Sequence, residues 1–188
     1  MSNRIKRVTA AATFAGAVVL STMLSQSHAQ MAMPFGGEED VAFAEELWST
    51  LEAARFVGAN RINTTAFEGN EPHGAIQQVL AGNVEVTGRS GRAVVKLNHM
   101  GEGADTESVY NDPDKFMMAY TVMFKREAGY DPENKDWFWA RYDPSGALMA
   151  GGEGMPKMAG RVAKGMEEGC IACHTATGGA DLEVLTPN

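Results

Sequence analysis

The stretch Gly169–Thr177 reads GCIACHTAT and holds both cysteines of the 188-residue chain, with His174 directly after the second. Cys170, Cys173 and His174 therefore spell Cys-x-x-Cys-His, the attachment pattern of a c-type haem. The spacing has a physical reason. Two thiols three positions apart lie on one side of a helical turn, where they can add to two vinyl groups of one porphyrin. The adjacent imidazole is then held beneath the iron as its ligand. A disulfide is the weaker reading, because a Cys-x-x-Cys bridge closes a tiny loop, stabilises little and leaves the histidine unexplained. A thioredoxin-type redox pair belongs in a βαβ setting near the front of a domain. Zinc needs a fourth ligand, for which His73 and His99 are the remaining histidines outside the leader described next. The motif thus predicts one covalent haem c on Cys170 and Cys173, with His174 as the proximal iron ligand.

Residues 1–29 have the layout of a secretory signal. Arg4, Lys6 and Arg7 make a basic start, VTAAATFAGAVVLSTMLS is apolar, and Ser27 and Ala29 give small residues before a cut after Ala29. The apolar part is short and rich in alanine, which favours a cleaved leader over a membrane anchor. The expected product is exported, periplasmic or beyond, and not inserted in a membrane. Export suits the motif, since attachment of a c-type haem takes place outside the cytoplasm. With the leader go its three basic residues, so the net charge of −8 becomes about −11. Such acidity argues against nucleic acid as a partner. It suits a small neutral or cationic substrate, or a soluble, basic redox partner.

Only 14 residues follow His174, and they contain neither methionine nor histidine. Common electron-carrying cytochromes c have an early motif and a methionine ligand far downstream; here any second protein ligand must come from upstream. Met100, Met123 and Met155 are candidates, as are His73 and His99, although methionines usually fill cores. The late motif favours a five-coordinate iron whose open face is available to a small molecule.

Residues 30–39 read as a flexible lead-in, and 40–188 as one haem domain. From Asp40, a plausible N-cap, Val41, Ala44, Leu47, Trp48, Leu51 and Ala54 recur at helical spacing towards a stop at Gly58. The middle changes period. Val84 and Val86 alternate, a Gly-Arg-Ser-Gly turn follows, and then comes the β-branched run at Val94 and Val95. Tyr120, Val122 and Phe124 alternate with Thr121, Met123 and Lys125. Trp137, Trp139 and Arg141 alternate with Phe138, Ala140 and Tyr142, before a turn at Asp143–Gly146. In the strand around Lys96, alternation puts Val94, Lys96 and Asn98 on one face and Ala93, Val95 and Leu97 on the other. MPKMAGRVAKGMEEGC, from Met155 to Cys170, reads as a terminal helix with Met158, Val162 and Met166 along one side. The fold class expected is α+β, an antiparallel sheet flanked by helices. The four-helix cytochromes c′ also place their motif late, but they need helical periodicity throughout.

With its leading helix, AVVKLNHM, DWFWARYDPSGAL and GRVAKGMEEGCIACHTA, the chain resembles the cytochrome P-460 family, including its sheet-rich relative, the beta form of cytochrome c′. The likeness covers most of the chain beyond the leader, and the terminal motif is its specific part. It implies a haem packed against the sheet, a C-terminal attachment helix and, as is usual in the family, a homodimer. It implies His174 as proximal ligand and Cys170 and Cys173 as thioether links. In cytochrome P-460 proper a strand lysine also bonds to the porphyrin edge, and hydroxylamine is oxidised; Lys96 is the matching position. Such chemistry needs a proton acceptor, for which Glu85, Glu102, Glu107 and Glu127 are available. The beta form of cytochrome c′ instead binds nitric oxide and carbon monoxide in an apolar pocket, for which Phe116, Phe124 and Phe138 are available, although aromatics of this kind more often fill the core.

Overall fold

Two eleven-residue strands, β2 (Ile76–Val86) and β3 (Arg89–His99), form a long hairpin. In the computed structural model, which describes residues 33–177, 179 and 181–185, they are joined by Thr87 and Gly88. Both turn residues take left-handed φ, 50° and 76°, the two-residue turn whose twist matches that of paired strands. The expected Gly-Arg-Ser-Gly turn is corrected accordingly: Arg89, Ser90 and Gly91 are already paired with Val86, Glu85 and Val84. The expected leader, residues 1–29, lies outside the described residues.

Around this hairpin the chain adds β1 (Phe67–Glu68), β4 (Met117–Lys125), β5 (Trp137–Tyr142) and β6 (Ala159–Gly160). The six strands lie in sequence order, each antiparallel to its neighbours. The helices are α1 (Glu38–Ala53), α2 (Thr106–Asn111), α3 (Pro113–Phe116) and α4 (Cys170–Thr177). The α+β class and the antiparallel sheet are therefore as expected. Among the described residues, no helix is long and apolar enough to cross a membrane.

Alternation gives the sheet two different faces. Ala93, Val95, Leu97, Tyr120, Val122, Phe124, Phe138, Ala140 and Tyr142 point to one side and pack with Ala44, Leu47 and Leu51 of α1. Full burial of the valine, leucine and phenylalanine side chains among them stabilises by roughly 1.5–3 kcal/mol each, so this is the main core. The Tyr142 hydroxyl donates to the Ala44 carbonyl (2.7 Å), tying α1 to β5. Trp48 is half-buried, edge-on to Tyr120 with ring centroids 5.2 Å apart.

α1 starts earlier than expected, at Glu38 with Gly37 as its N-cap rather than Asp40. Glu38, Glu39 and Asp40 then all fall in the first turn, where carboxylates oppose the positive end of the helix dipole. It also stops at Ala53, short of Gly58. The expected lead-in is anchored from Phe35 onward: Phe35 is buried and bridges Gly160, and the Gly36 amide donates to the Ala159 carbonyl (2.7 Å).

The helix expected over Met155–Cys170 is not formed. Ala159 and Gly160 instead pair with Ala140 and Trp139 as β6. Gly154, Gly160, Ala163, Gly165 and Gly169 all take positive φ, a conformation no right-handed helix contains. The segment runs as turns over the second sheet face, and helix resumes only at Cys170.

Candidate functional site

The strand register builds the floor of the site in two rows. Lys96, Thr121 and Arg141 are cross-strand partners on β3, β4 and β5, and so are Val94, Met123 and Trp139. Partners in register share a face, so a polar row lies beside an apolar one, opposite the α1 core. Above them lies a cavity of about 340 Å³, walled by Phe35, Met155, Met158, Val162, Ala163 and the start of α4. That volume falls within the range of small-molecule and cofactor sites, roughly 300–1,000 Å³.

α4 brings Cys170, Cys173 and His174 to this cavity. Both thiols are free, and burial pushes the Cys170 thiol up from its ordinary range. His174 is buried, and its Nδ1 lies 2.7 Å from the Leu182 carbonyl. A carbonyl only accepts, so Nδ1 carries the proton and Nε2 keeps a free lone pair. Burial lowers the pKa of the ring despite that bond, so it is neutral at neutral pH. The Trp139 indole packs edge-on to it, ring centroids 4.8 Å apart at 72°.

Lys96 lies on the cavity side of β3 and is 6% exposed. Burial lowers its amine to about 8, and no carboxylate offsets the effect. Alternation alone leaves open which face of β3 meets the site; it is the face of Val94, Lys96 and Asn98.

A second cavity, of about 390 Å³, shares Pro72, His73, Lys96, Cys173 and His174 with the first and adds Asn70, Glu71 and Gln77. His73 therefore stands on both walls. Its ring is perpendicular to that of His174 at 6.1 Å between centroids, and its Nδ1 meets Thr121 Oγ1 at 3.1 Å. Burial first, then the positive Lys96, lowers its pKa to about 3, so it too is neutral.

The other expected residues divide. Met123 and Met155 line the cavity; Met100 is exposed and does not. His99 is fully buried at the end of β3, with neither ring nitrogen partnered among the described residues, and lines neither cavity. Phe124 and Phe138 belong to the core behind the sheet, and Phe116 to a small cluster with Ala66, Ile76 and Val109. All three are thus core aromatics, as such residues most often are, and their strand positions turn two of them to the α1 side and away from the cavity. Glu85, Glu102, Glu107 and Glu127 line neither cavity; Glu168 and Glu71 do. Trp139, Thr121 and Arg141 were not singled out by the sequence, although alternation from Lys96 across the sheet would have reached them.

The donor set fits a covalently held porphyrin. Two free thiols and the His174 imidazole line one largely apolar cavity, and the indole Nε1 of Trp139 and the Nε of Arg141, residues of the same lining, are buried without a hydrogen-bond partner among the described residues. Among the described residues, no three His, Cys, Asp or Glu side chains gather as a shell for a bare metal ion. Compared with known proteins, the chain matches no family model, no curated protein and no solved structure.

Proposed function

We propose that this chain is an exported, monohaem c-type cytochrome of the P-460 type, acting in redox conversion of a small nitrogen compound, hydroxylamine or nitric oxide. The observation that carries the reading is the convergence of Cys170, Cys173 and His174 on one cavity, with His174 Nδ1 engaged by a backbone carbonyl and Lys96 buried on the floor. When bound, the haem supplies an iron that takes a small ligand and exchanges electrons with it.

The protein's own groups have definable tasks. Cys170 and Cys173 would hold the cofactor, and His174, with Nδ1 fixed by the Leu182 carbonyl, would offer Nε2 to it. Val94, Met123, Met158 and Val162 give the cavity apolar walls, a low-dielectric lining that strengthens electrostatic interactions beside it. Lys96 is an amine held at lowered pKa, which makes it a better nucleophile at neutral pH than an exposed lysine; it is the candidate for a bond to the macrocycle. Protons released by a nitrogen substrate would meet Glu71 and Glu168 on the walls. A soluble redox partner and a homodimeric assembly complete the proposal.

The test is an absorption spectrum of the reduced holoprotein, combined with hydroxylamine-dependent reduction of an electron acceptor. A red-shifted Soret band with turnover supports the enzyme; an ordinary band without turnover removes it. The apolar walls favour a second reading, reversible capture of nitric oxide or carbon monoxide. That reading predicts tight gas binding, an unmodified spectrum and a haem peptide joined only at Cys170 and Cys173.

A further inference from the structure

Beyond α4 the chain turns at Gly179, whose carbonyl accepts from the Leu182 amide (3.0 Å), and lies across three strands. Lys125 Nζ on β4 donates to Asp181 Oδ1 (2.7 Å), and the Trp137 indole on β5 donates to the Asp181 carbonyl (2.7 Å). Two residues further on, Arg92 on β3 grips Glu183 with both arms of its guanidinium, Nε to Oε1 at 2.6 Å and Nη2 to Oε2 at 2.9 Å. Leu182 lies between these anchors. Its side chain is buried with Trp137, Trp139 and Ile171, and its carbonyl accepts a hydrogen bond from His174 Nδ1. The backbone group that orients the imidazole is therefore held on both sides by charge pairs rooted in the sheet.

We propose that residues 181–183 form a strap that sets the orientation and basicity of His174 towards the iron, with Arg92 and Glu183 as its positioning residues. The inference rests on the haem reading above. An acceptor on the far nitrogen of a metal-bound histidine fixes its tautomer and raises its strength as a ligand. The acceptor acts only if it stays in place, and a lone backbone carbonyl in a tail has no fixed position. A bidentate arginine–carboxylate fork supplies directional restraint as well as attraction. Arg92 is 39% exposed at its side chain, so the pair adds little to stability as such. Its geometric role is the larger one. Arg92 and Glu183 touch neither cavity, so their effect on the iron must pass through Leu182.

The test compares haem-loaded wild type with Arg92→Met, Glu183→Gln and the reversed pair Arg92→Glu with Glu183→Arg. The readouts are the iron–histidine stretching band of the ferrous protein and its reduction potential. Both single variants should move the band to lower frequency and raise the potential, because a weaker histidine ligand favours the ferric state less. The reversed pair should return both part of the way to wild type. If Arg92→Met does not fold, Arg92→Lys keeps the charge but loses the fork and should shift both readouts in the same direction by less. A loaded, folded variant with band and potential at wild-type values overturns the strap while leaving the haem reading intact. A wild type that takes up no haem overturns both.

Discussion

Replacing Lys96 by methionine should stabilise the apoprotein, and by an amount that depends on pH in one direction only. Burial lowers the amine from 10.5 to about 8, and Lys96 is only 6% exposed. Every tenfold weakening of proton binding corresponds to about 1.4 kcal/mol, so the buried ammonium costs the folded state about 3 kcal/mol. Below pH 8 the lysine is charged in both folded and unfolded chains, and the whole penalty is present. Between pH 8 and 10.5 the folded protein loses its proton while the unfolded chain keeps it, so wild-type stability rises with pH. Above 10.5 both are neutral and the penalty is gone. Methionine has no such titration. The variant's advantage should therefore be about 3 kcal/mol at pH 7 and shrink steadily towards pH 10.5, over any constant offset from packing. Urea unfolding of both apoproteins at four pH values across that range measures it. An advantage that stays flat with pH would show that Lys96 does not carry a buried charge, and the argument that this amine is held for chemistry would fail. Natural chains retain such locally unfavourable groups mainly at functional sites.

His99 should produce a loss of stability at the acid end. Burial lowers its pKa to about 4, so as pH falls from 6.5 the unfolded chain binds the proton first and the wild type loses up to about 3 kcal/mol by pH 4. His99→Leu should flatten that loss, read as a smaller drop in Tm between pH 7 and pH 4.5. Phe138→Ala empties part of the α1 core on the side of the sheet away from the cavity, and should cost about 3–5 kcal/mol in urea unfolding. The absorption spectrum of the loaded variant should remain that of wild type; an altered spectrum would contradict the two-faced sheet.

Side-chain periodicity carries most of what can be read in the sequence. The alternation at residues 93–98, 120–125 and 137–142 places Val95, Tyr120 and Phe138 opposite Lys96, Thr121 and Trp139, as the structure has them. What alternation cannot carry is sign, because it separates two faces without saying which is buried against a helix and which against a site. For that reason Lys96 can be named from the sequence but not placed, and only the fold shows that Phe124 and Phe138 take the commoner fate of such aromatics, the core, over a place in a distal pocket. Met158, Val162 and Met166 mimic a helical stripe at i, i+4 and i+8, yet the glycines between them break any helix; the apolar spacing reflects a cavity wall. The N-terminal part of β2 escapes a sequence reading because Gln77 and Gln78 look like surface residues, although Gln78 is buried and donates to Asn63 and Thr64. The Leu182 carbonyl is invisible for a simpler reason: a backbone acceptor has no signature in the sequence, and only the fold brings it to His174.

The central claim is that the two thiols of α4 and the imidazole beside them grip one porphyrin, and the intact mass of the denatured protein tests it most directly. Protein exported and matured alongside the haem-attachment machinery should remain coloured after denaturation and weigh one haem more than its polypeptide. In a Cys170→Ala, Cys173→Ala double variant that added mass should be lost. A colourless wild-type product at the bare polypeptide mass would contradict the account.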